Sequence, residues 1–190
     1  MKLDTHSQLS ANTLAWHWIV GIMLICLLAS GIYMEENEVF ALYPWHKSFG
    51  VLIAVFVVLR VIWRVKNGWL THVSDYSSIE RLLSKIVHYV LIIGTVLMPI
   101  SGFIMSAMGG HGVDFFGMEL VARNPDPADP KVIVALNGPL AGLAHSMHKF
   151  AGIAIIVGVA LHVIGALKHH IIDKDGTLRR MLGAKVQARY

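Results

Sequence analysis

The chain has 190 residues, 55% of them hydrophobic and only 15% charged, with a formal net charge of +4 and a mean hydropathy of +0.60. Soluble domains carry about 25% charged residues, so this profile excludes an ordinary soluble globule and points to a lipid bilayer as the solvent. The basic excess is no argument for nucleic acid, because the basic residues gather on one membrane side, where anionic lipid accounts for them.

Four apolar runs follow in chain order. Residues 1–13 hold one lysine, one aspartate and no small-residue cleavage site, so they do not read as a cleaved leader, and the first span is expected to remain in the mature protein. That span, residues 14–34, includes His17 and the lone Cys26, which can form no intramolecular disulfide and is expected only to pack. The second, 46–65, opens on His46 and reaches Arg60 and Arg64 near its end. The third, 83–108, begins near His88. The fourth, 143–167, contains HKFAGIAIIVGVALH, with His148 and His162 at its ends. Each run is long enough to cross a bilayer as a helix. An all-α, integral membrane four-helix bundle is predicted, one transmembrane domain over 1–190 with a basic cytoplasmic tail at 168–190.

Charge sets the expected orientation. The side holding the N-terminus, the 66–82 connection and the C-terminal tail carries 12 basic residues against 5 acidic ones, among them Lys2, Arg64, Lys66, Arg179 and Arg189. The opposite side carries 4 basic residues, Lys47, Arg123, Lys131 and Lys149, against 7 acidic ones. The positive-inside rule then puts both termini in the cytoplasm of a multi-pass membrane protein, in agreement with an even number of spans.

His148 and His162 lie 14 residues apart, which on a helix is about 21 Å of rise and about 40° short of four full turns. Both imidazoles therefore share one face, one in each leaflet. Ionisable groups inside a span are costly and face a bundle interior where they have partners. The first helix runs outward and the second and fourth inward, so depth pairs His17 with His162 on the cytoplasmic side and His46 with His148 on the periplasmic side. Facing helices build cofactor sites in this way, and heme iron takes axial histidine. Two bis-histidine b hemes are expected.

Each of the four histidines has a glycine four positions toward the membrane centre: Gly21, Gly50, Gly152 and Gly158. Positions i and i+4 share a helix face, so these glycines are expected to leave room for a porphyrin; ordinary close helix packing is the alternative and accounts for one or two of the four. His88 has Ile92 and not a glycine four residues inward, and its helix carries no second histidine to match it in depth; with His6, His72, His111 and His145 it is expected to be solvated or hydrogen-bonded. Arg60 stands 14 residues after His46, at cytoplasmic depth, where it can pair with a heme propionate or snorkel to headgroups as Arg64 and Lys66 are expected to do. His169 is seven residues beyond His162, at the cytoplasmic interface. There it can exchange protons with a quinone, hold a propionate, or simply join Lys168 in an interfacial basic cluster. No CxxCH, P-loop, dinucleotide fingerprint or CxxC site is present.

LAWHWIVG in the first helix, YPWHKSFG leading to VLRVIWRV in the second, the His148–His162 pair and the closing ALKHHIIDKDGTLRRMLG resemble bacterial cytochrome b561 over nearly the whole chain. The resemblance implies a four-helix, di-heme inner-membrane cytochrome that exchanges electrons with ubiquinone or another quinone. It implies His17, His46, His148 and His162 as ligands of heme iron, and it places His169 near the quinone. Some members are similar to superoxide oxidases. Here the external charges sum to −3, with Glu35, Glu36 and Glu38 in the first loop, a surface expected to repel small anions and favour a neutral or cationic donor. Membrane lipid, a quinone and a periplasmic redox partner are the expected partners, and a homodimer stays open. Two alternatives stand beside this reading: a cytochrome subunit anchoring a periplasmic dehydrogenase or hydrogenase, and a transition-metal transporter. The second is disfavoured because transport sites use broken helices at mid-membrane.

Overall fold

The computed structural model describes residues 3–68, 70 and 73–187. Lys2, His72 and Arg189, invoked above for charge and histidine chemistry, lie outside the described residues.

Four long helices cover the four apolar runs: α1 (Ala11–Asn37), α2 (Tyr43–Asn67), α3 (Ser78–Met108) and α4 (Gly138–Ile171). All four are long and apolar enough to cross a membrane. Each overshoots the run that announced it because local signals extend its ends into the interface. Ser10 caps α1 by accepting from the Thr13 N–H. Ser77 and Glu80 form a reciprocal capping box at the start of α3. Asn137 caps α4, with a proline in its first turn. Glu38, in the left-handed region at φ 54°, stops α1.

Most of the apolar side chains point outward, Ile22, Ile25, Ile62, Phe150 and Ile164 among them, the arrangement expected where lipid replaces water. Cys26 also lies on this outer surface, not in the core.

α3 packs along α4, and α1 along α2, with a lesser contact between α2 and α3; α4 has no comparable interface with α1 or α2. The two helix pairs close on each other at mid-height, where Val20 and Leu24 of α1, Ile53 and Val57 of α2 and Ile155 of α4 form the buried core. Ile155 is fully enclosed and lies midway along the chain between His148 and His162. Gly94 of α3 makes its place: a Cβ there would approach Ile155 Cγ1 to 2.6 Å.

One end of the bundle carries both ends of the chain. The Val186 N–H donates to Ser7 O at 2.8 Å, Arg180 donates to His6 O at 3.1 Å, and the Trp18 indole donates to Met181 O at 2.9 Å. The short α5 (Thr177–Met181) folds back here. Asp4 ties this end together. It accepts from Thr13 Oγ1 at 2.9 Å, from the Ser10 N–H at 2.8 Å and from Arg64 at 3.1 Å. Trp63 Nε1 donates to Thr13 Oγ1 at 2.8 Å. Arg64, expected to reach for lipid headgroups, pairs with Asp4 instead, because the carboxylate lies within reach of its position on the last turns of α2. Burial acts to raise the Asp4 pKa, yet hydrogen bonds from Ser10, Thr13 and Arg64 hold it below its ordinary value.

The other end carries the 109–142 segment, which contains an antiparallel hairpin of β1 (Val113–Phe115) and β2 (Met118–Val121). Its two-residue tip puts Phe116 at φ 48° and Gly117 at φ 89°, the left-handed pair that tight hairpins require. Lys47 Nζ donates to Gly112 O at 3.0 Å, and the Phe116 N–H donates to Ser48 Oγ at 3.0 Å. The hairpin is thus clamped to α2 within two residues of His46, and the aromatic rings of Trp45, Phe49 and Phe116 pack together there.

Candidate functional site

The four histidines lie on the inward side of their helices, each only partly exposed in a bundle whose surface is largely apolar. At the termini end His17 and His162 face each other with ring centroids 6.1 Å apart and planes inclined by 51°. Two imidazoles bound to one metal ion from opposite sides have centroids roughly 6 Å apart, two bonds of about 2 Å plus the half-width of each ring. The pair fits a six-coordinate iron. His88 also meets His162, edge to face at 5.2 Å, a spacing of direct ring contact that leaves no place for a metal between them. Its Nδ1 donates to Ser84 O at 2.6 Å. Arg60 interacts electrostatically with both His17 and His162, the depth that its spacing predicts.

At the hairpin end the histidines are oriented by serines that the sequence reading passed over. Ser30 Oγ donates its only proton to Leu27 O at 2.9 Å and lies 2.9 Å from His46 Nδ1. With its proton spent, the hydroxyl offers His46 only lone pairs, so His46 Nδ1 carries the hydrogen. The buried Ser101 repeats the device. It donates to Leu97 O at 2.7 Å and accepts from His148 Nδ1 at 3.1 Å, while Met98 O offers the same N–H a second acceptor at 3.0 Å. Both Nε2 atoms are left as unprotonated donors for a metal, the tautomer that a hydrogen-bond partner of a ligating histidine selects. His46 and His148 are near enough to interact electrostatically.

Gly102 belongs to this site as well. A Cβ at that position would lie 3.0 Å from His148 Cε1, so only glycine lets the ring sit against α3. Gly31 flanks His46 more loosely: a Cβ there would meet His46 Cε1 at 3.4 Å, an ordinary van der Waals contact. A serine or glycine inside an apolar span at histidine depth is the signal that could have found these residues.

The four glycines one turn from the histidines divide. At Gly21 and Gly50 an added Cβ would meet no atom within 4 Å, and at Gly152 only Met98 Cε at 3.8 Å. These three border open space, as a porphyrin edge requires. Gly158 faces Leu91 at 3.1 Å and Val90 at 3.5 Å, so in this conformation it serves the α3–α4 contact. Gly50 also lines an apolar cavity of about 260 Å³ with Ala54, Pro99, Phe103 and Ile104.

His169 sits at the termini end in a polar cluster. Its Nδ1 is 2.7 Å from Asp173 Oδ2, its ring centroid is 4.5 Å from that of Tyr76, and the Tyr76 hydroxyl donates to Asp175 Oδ2 at 2.6 Å. Lys168 bonds Glu80 and Asp173. Hydrogen bonds from Lys168 and then His169 outweigh burial and hold the Asp173 carboxyl below its ordinary pKa. Burial, followed by the bond to Asp175, pushes the Tyr76 phenol up to about 12.

The prokaryotic cytochrome b561 family model matches residues 9–184. The chain is 30% identical to cytochrome b561 homolog 2 of Escherichia coli (strain K12) over 187 residues, 95% of this chain and 94% of that protein. It is 25% identical to the probable superoxide oxidase CybB of Yersinia pestis over 184 residues, 95% of this chain and 98% of that one. Cytochrome b561 homolog 1 of E. coli is 24% identical over 182 residues, 93% and 97% of the two chains. With four membrane-crossing helices and paired inward histidines, the chain belongs to the prokaryotic cytochrome b561 family of heme-containing, electron-transferring membrane proteins.

Proposed function

We propose that the protein carries two b hemes and relays single electrons between a quinone at its cytoplasmic face and a redox partner at its periplasmic face. His17 and His162 would hold one heme and His46 and His148 the other, through their imidazole nitrogens. The observation that carries this reading is the 6.1 Å separation of the His17 and His162 rings, joined by the serine bonds that free Nε2 on His46 and His148. Heme bound there supplies a one-electron couple, and bis-histidine ligation leaves it no open position for oxygen.

The chain's own residues do the rest. Gly21, Gly50 and Gly152 leave space along the ligand faces, and Arg60 offers a guanidinium to a propionate. The termini end takes the cytoplasmic side by the positive-inside rule. There His169, bonded to Asp173 at 2.7 Å, is placed to hand a proton to a quinone and recover it through a carboxylate open to water.

The Yersinia relative's name brings superoxide to mind as a donor. The hairpin end offers it little attraction. Of its four basic residues, Lys47 is held by hairpin carbonyls and Lys149 lies 3.7 Å from Glu35, within a surface of net charge −3. A neutral or cationic donor suits that face better. The test is the visible spectrum and heme-to-protein ratio of the purified protein. Two non-covalent, low-spin b hemes per chain are expected, and a ratio of one or none would overturn the two-site reading.

A further inference from the structure

The two histidine pairs are furnished with opposite electrostatics. At the hairpin end both imidazoles give their Nδ1–H to acceptors: His46 to Ser30 Oγ, and His148 to Ser101 Oγ and Met98 O. At the termini end, among the described residues, His17 and His162 have no hydrogen bond at either ring nitrogen. Their polar neighbours are Arg60, which interacts electrostatically with both and has no carboxylate partner among the described residues, and the edge of His88.

An imidazole that shares its Nδ1–H with an acceptor is the more basic ligand. It gives more electron density to the metal and favours the oxidised, more positive ion. A fixed guanidinium beside a redox centre does the reverse, since adding an electron there is electrostatically favoured. Should Arg60 pair with a propionate, the sign is unchanged, because it then cancels a negative charge next to the iron.

We infer that Ser30, Ser101 and Met98 O on one side and Arg60 on the other bias the two hemes in opposite directions. The hairpin-side site is then the low-potential one and the termini-side site the high-potential one, and electrons run downhill from the hairpin end toward the His169 cluster. This rests on the two-heme reading and adds to it residues that touch no iron, together with a direction of flow.

The experiment is an equilibrium redox titration of the full chain in detergent, followed by visible spectra, on five proteins: the wild type, S30A/S101A, R60Q, R60K and H17A. The wild type should show two midpoints, and H17A, which keeps only the hairpin-side pair, should retain the lower one. S30A/S101A should raise the lower midpoint alone, and R60Q should lower the upper midpoint alone. R60K should stay near the wild type. Each shift should change the one-electron equilibrium by roughly threefold to tenfold, tenfold being about 59 mV.

The inference is overturned if H17A retains the upper midpoint, or if S30A/S101A and R60Q both leave the midpoints unmoved at full heme content. If S30A/S101A binds heme poorly, the R60Q and H17A titrations decide the order on their own. A wild-type ratio other than two hemes per chain would instead bring down the underlying reading and not the tuning.

Discussion

The hairpin half and the termini half of the bundle hold their histidines by different means. In the hairpin half order comes from inside the membrane, from two serine hydroxyls and a backbone carbonyl that grip Nδ1 and from glycines that let the rings approach. In the termini half the histidine rings are flanked by Arg60 and His88, and order comes from outside the span, through the Asp4–Thr13–Trp63–Arg64 network and the packed tail. The difference teaches that one pair is set by local side-chain chemistry and the other by the docking of chain ends. Damage to each half should therefore look different.

The largest effect should come from the ligands. His148→Ala or His46→Ala is expected to halve the heme content by emptying the hairpin half, and His17→Ala or His162→Ala to empty the termini half, each leaving the other spectrum intact. His88→Ala should leave two hemes. Heme assay and redox titration check this, and loss of a heme in the His88 variant would shift the termini-side ligand set.

The glycines sharpen the contrast next. Gly21→Leu adds a side chain where no protein atom lies within 4 Å. It should lower heme occupancy while leaving the thermal midpoint of heme-free protein near the wild type. Gly158→Leu runs into Leu91 and should destabilise the heme-free helix pair by about 1–3 kcal/mol, the usual cost of overpacking. Equal behaviour of the two variants would erase the distinction between cofactor space and helix contact.

A smaller, pH-dependent effect is expected from Asp4→Ala, which removes three side-chain hydrogen bonds at once. The loss should be about 1–3 kcal/mol near neutral pH. The Asp4 pKa is lowered in the fold, so its contribution is full above the unfolded value of about 3.9. It fades as pH falls through that value and then through the folded pKa. Thermal midpoints of wild type and variant should therefore converge in acid. A gap that persists there would mean that Asp4 acts through packing and not through its charge.

The smallest effect belongs to Tyr76→Phe, which frees Asp175 and Thr177 of one hydroxyl and should cost about 0.5–1.5 kcal/mol. The phenol is pushed up to about 12 from an ordinary 10.0, so this contribution is complete below pH 10 and is lost as pH rises through 12. If the variant equals the wild type at neutral pH, the Tyr76–Asp175 bond contributes nothing to the termini half.

The helices were legible in the chain because hydropathy and length are one-dimensional signals. Helical rise converts residue number into height and so levels His17 with His162, whose rings lie 6.1 Å apart, but it does not find His88, whose ring is nearer to His162 at 5.2 Å. The structure adds what sequence separation hides. Ser30 meets His46 across 16 residues and Ser101 meets His148 across 47, and no periodicity links them. The hairpin at 113–121 was missed because its tip depends on Phe116 taking a left-handed conformation, which a bulky residue seldom adopts. Arg64 was assigned to lipid because its partner, Asp4, is 60 residues away.

Ile155 has a consequence for energy storage. Enclosed with Val20, Leu24, Ile53 and Val57, it makes an apolar septum between the two histidine layers. An electron can tunnel across such a barrier while protons cannot follow it. In the proposed di-heme protein, charge would thus be separated over about 21 Å of a hydrocarbon core about 30 Å thick. Each transfer would then work with or against the membrane voltage by roughly 1.6 kcal/mol per 100 mV. The side chain that seals the bundle would make the protein a small capacitor, its turnover coupled to the voltage of the cell.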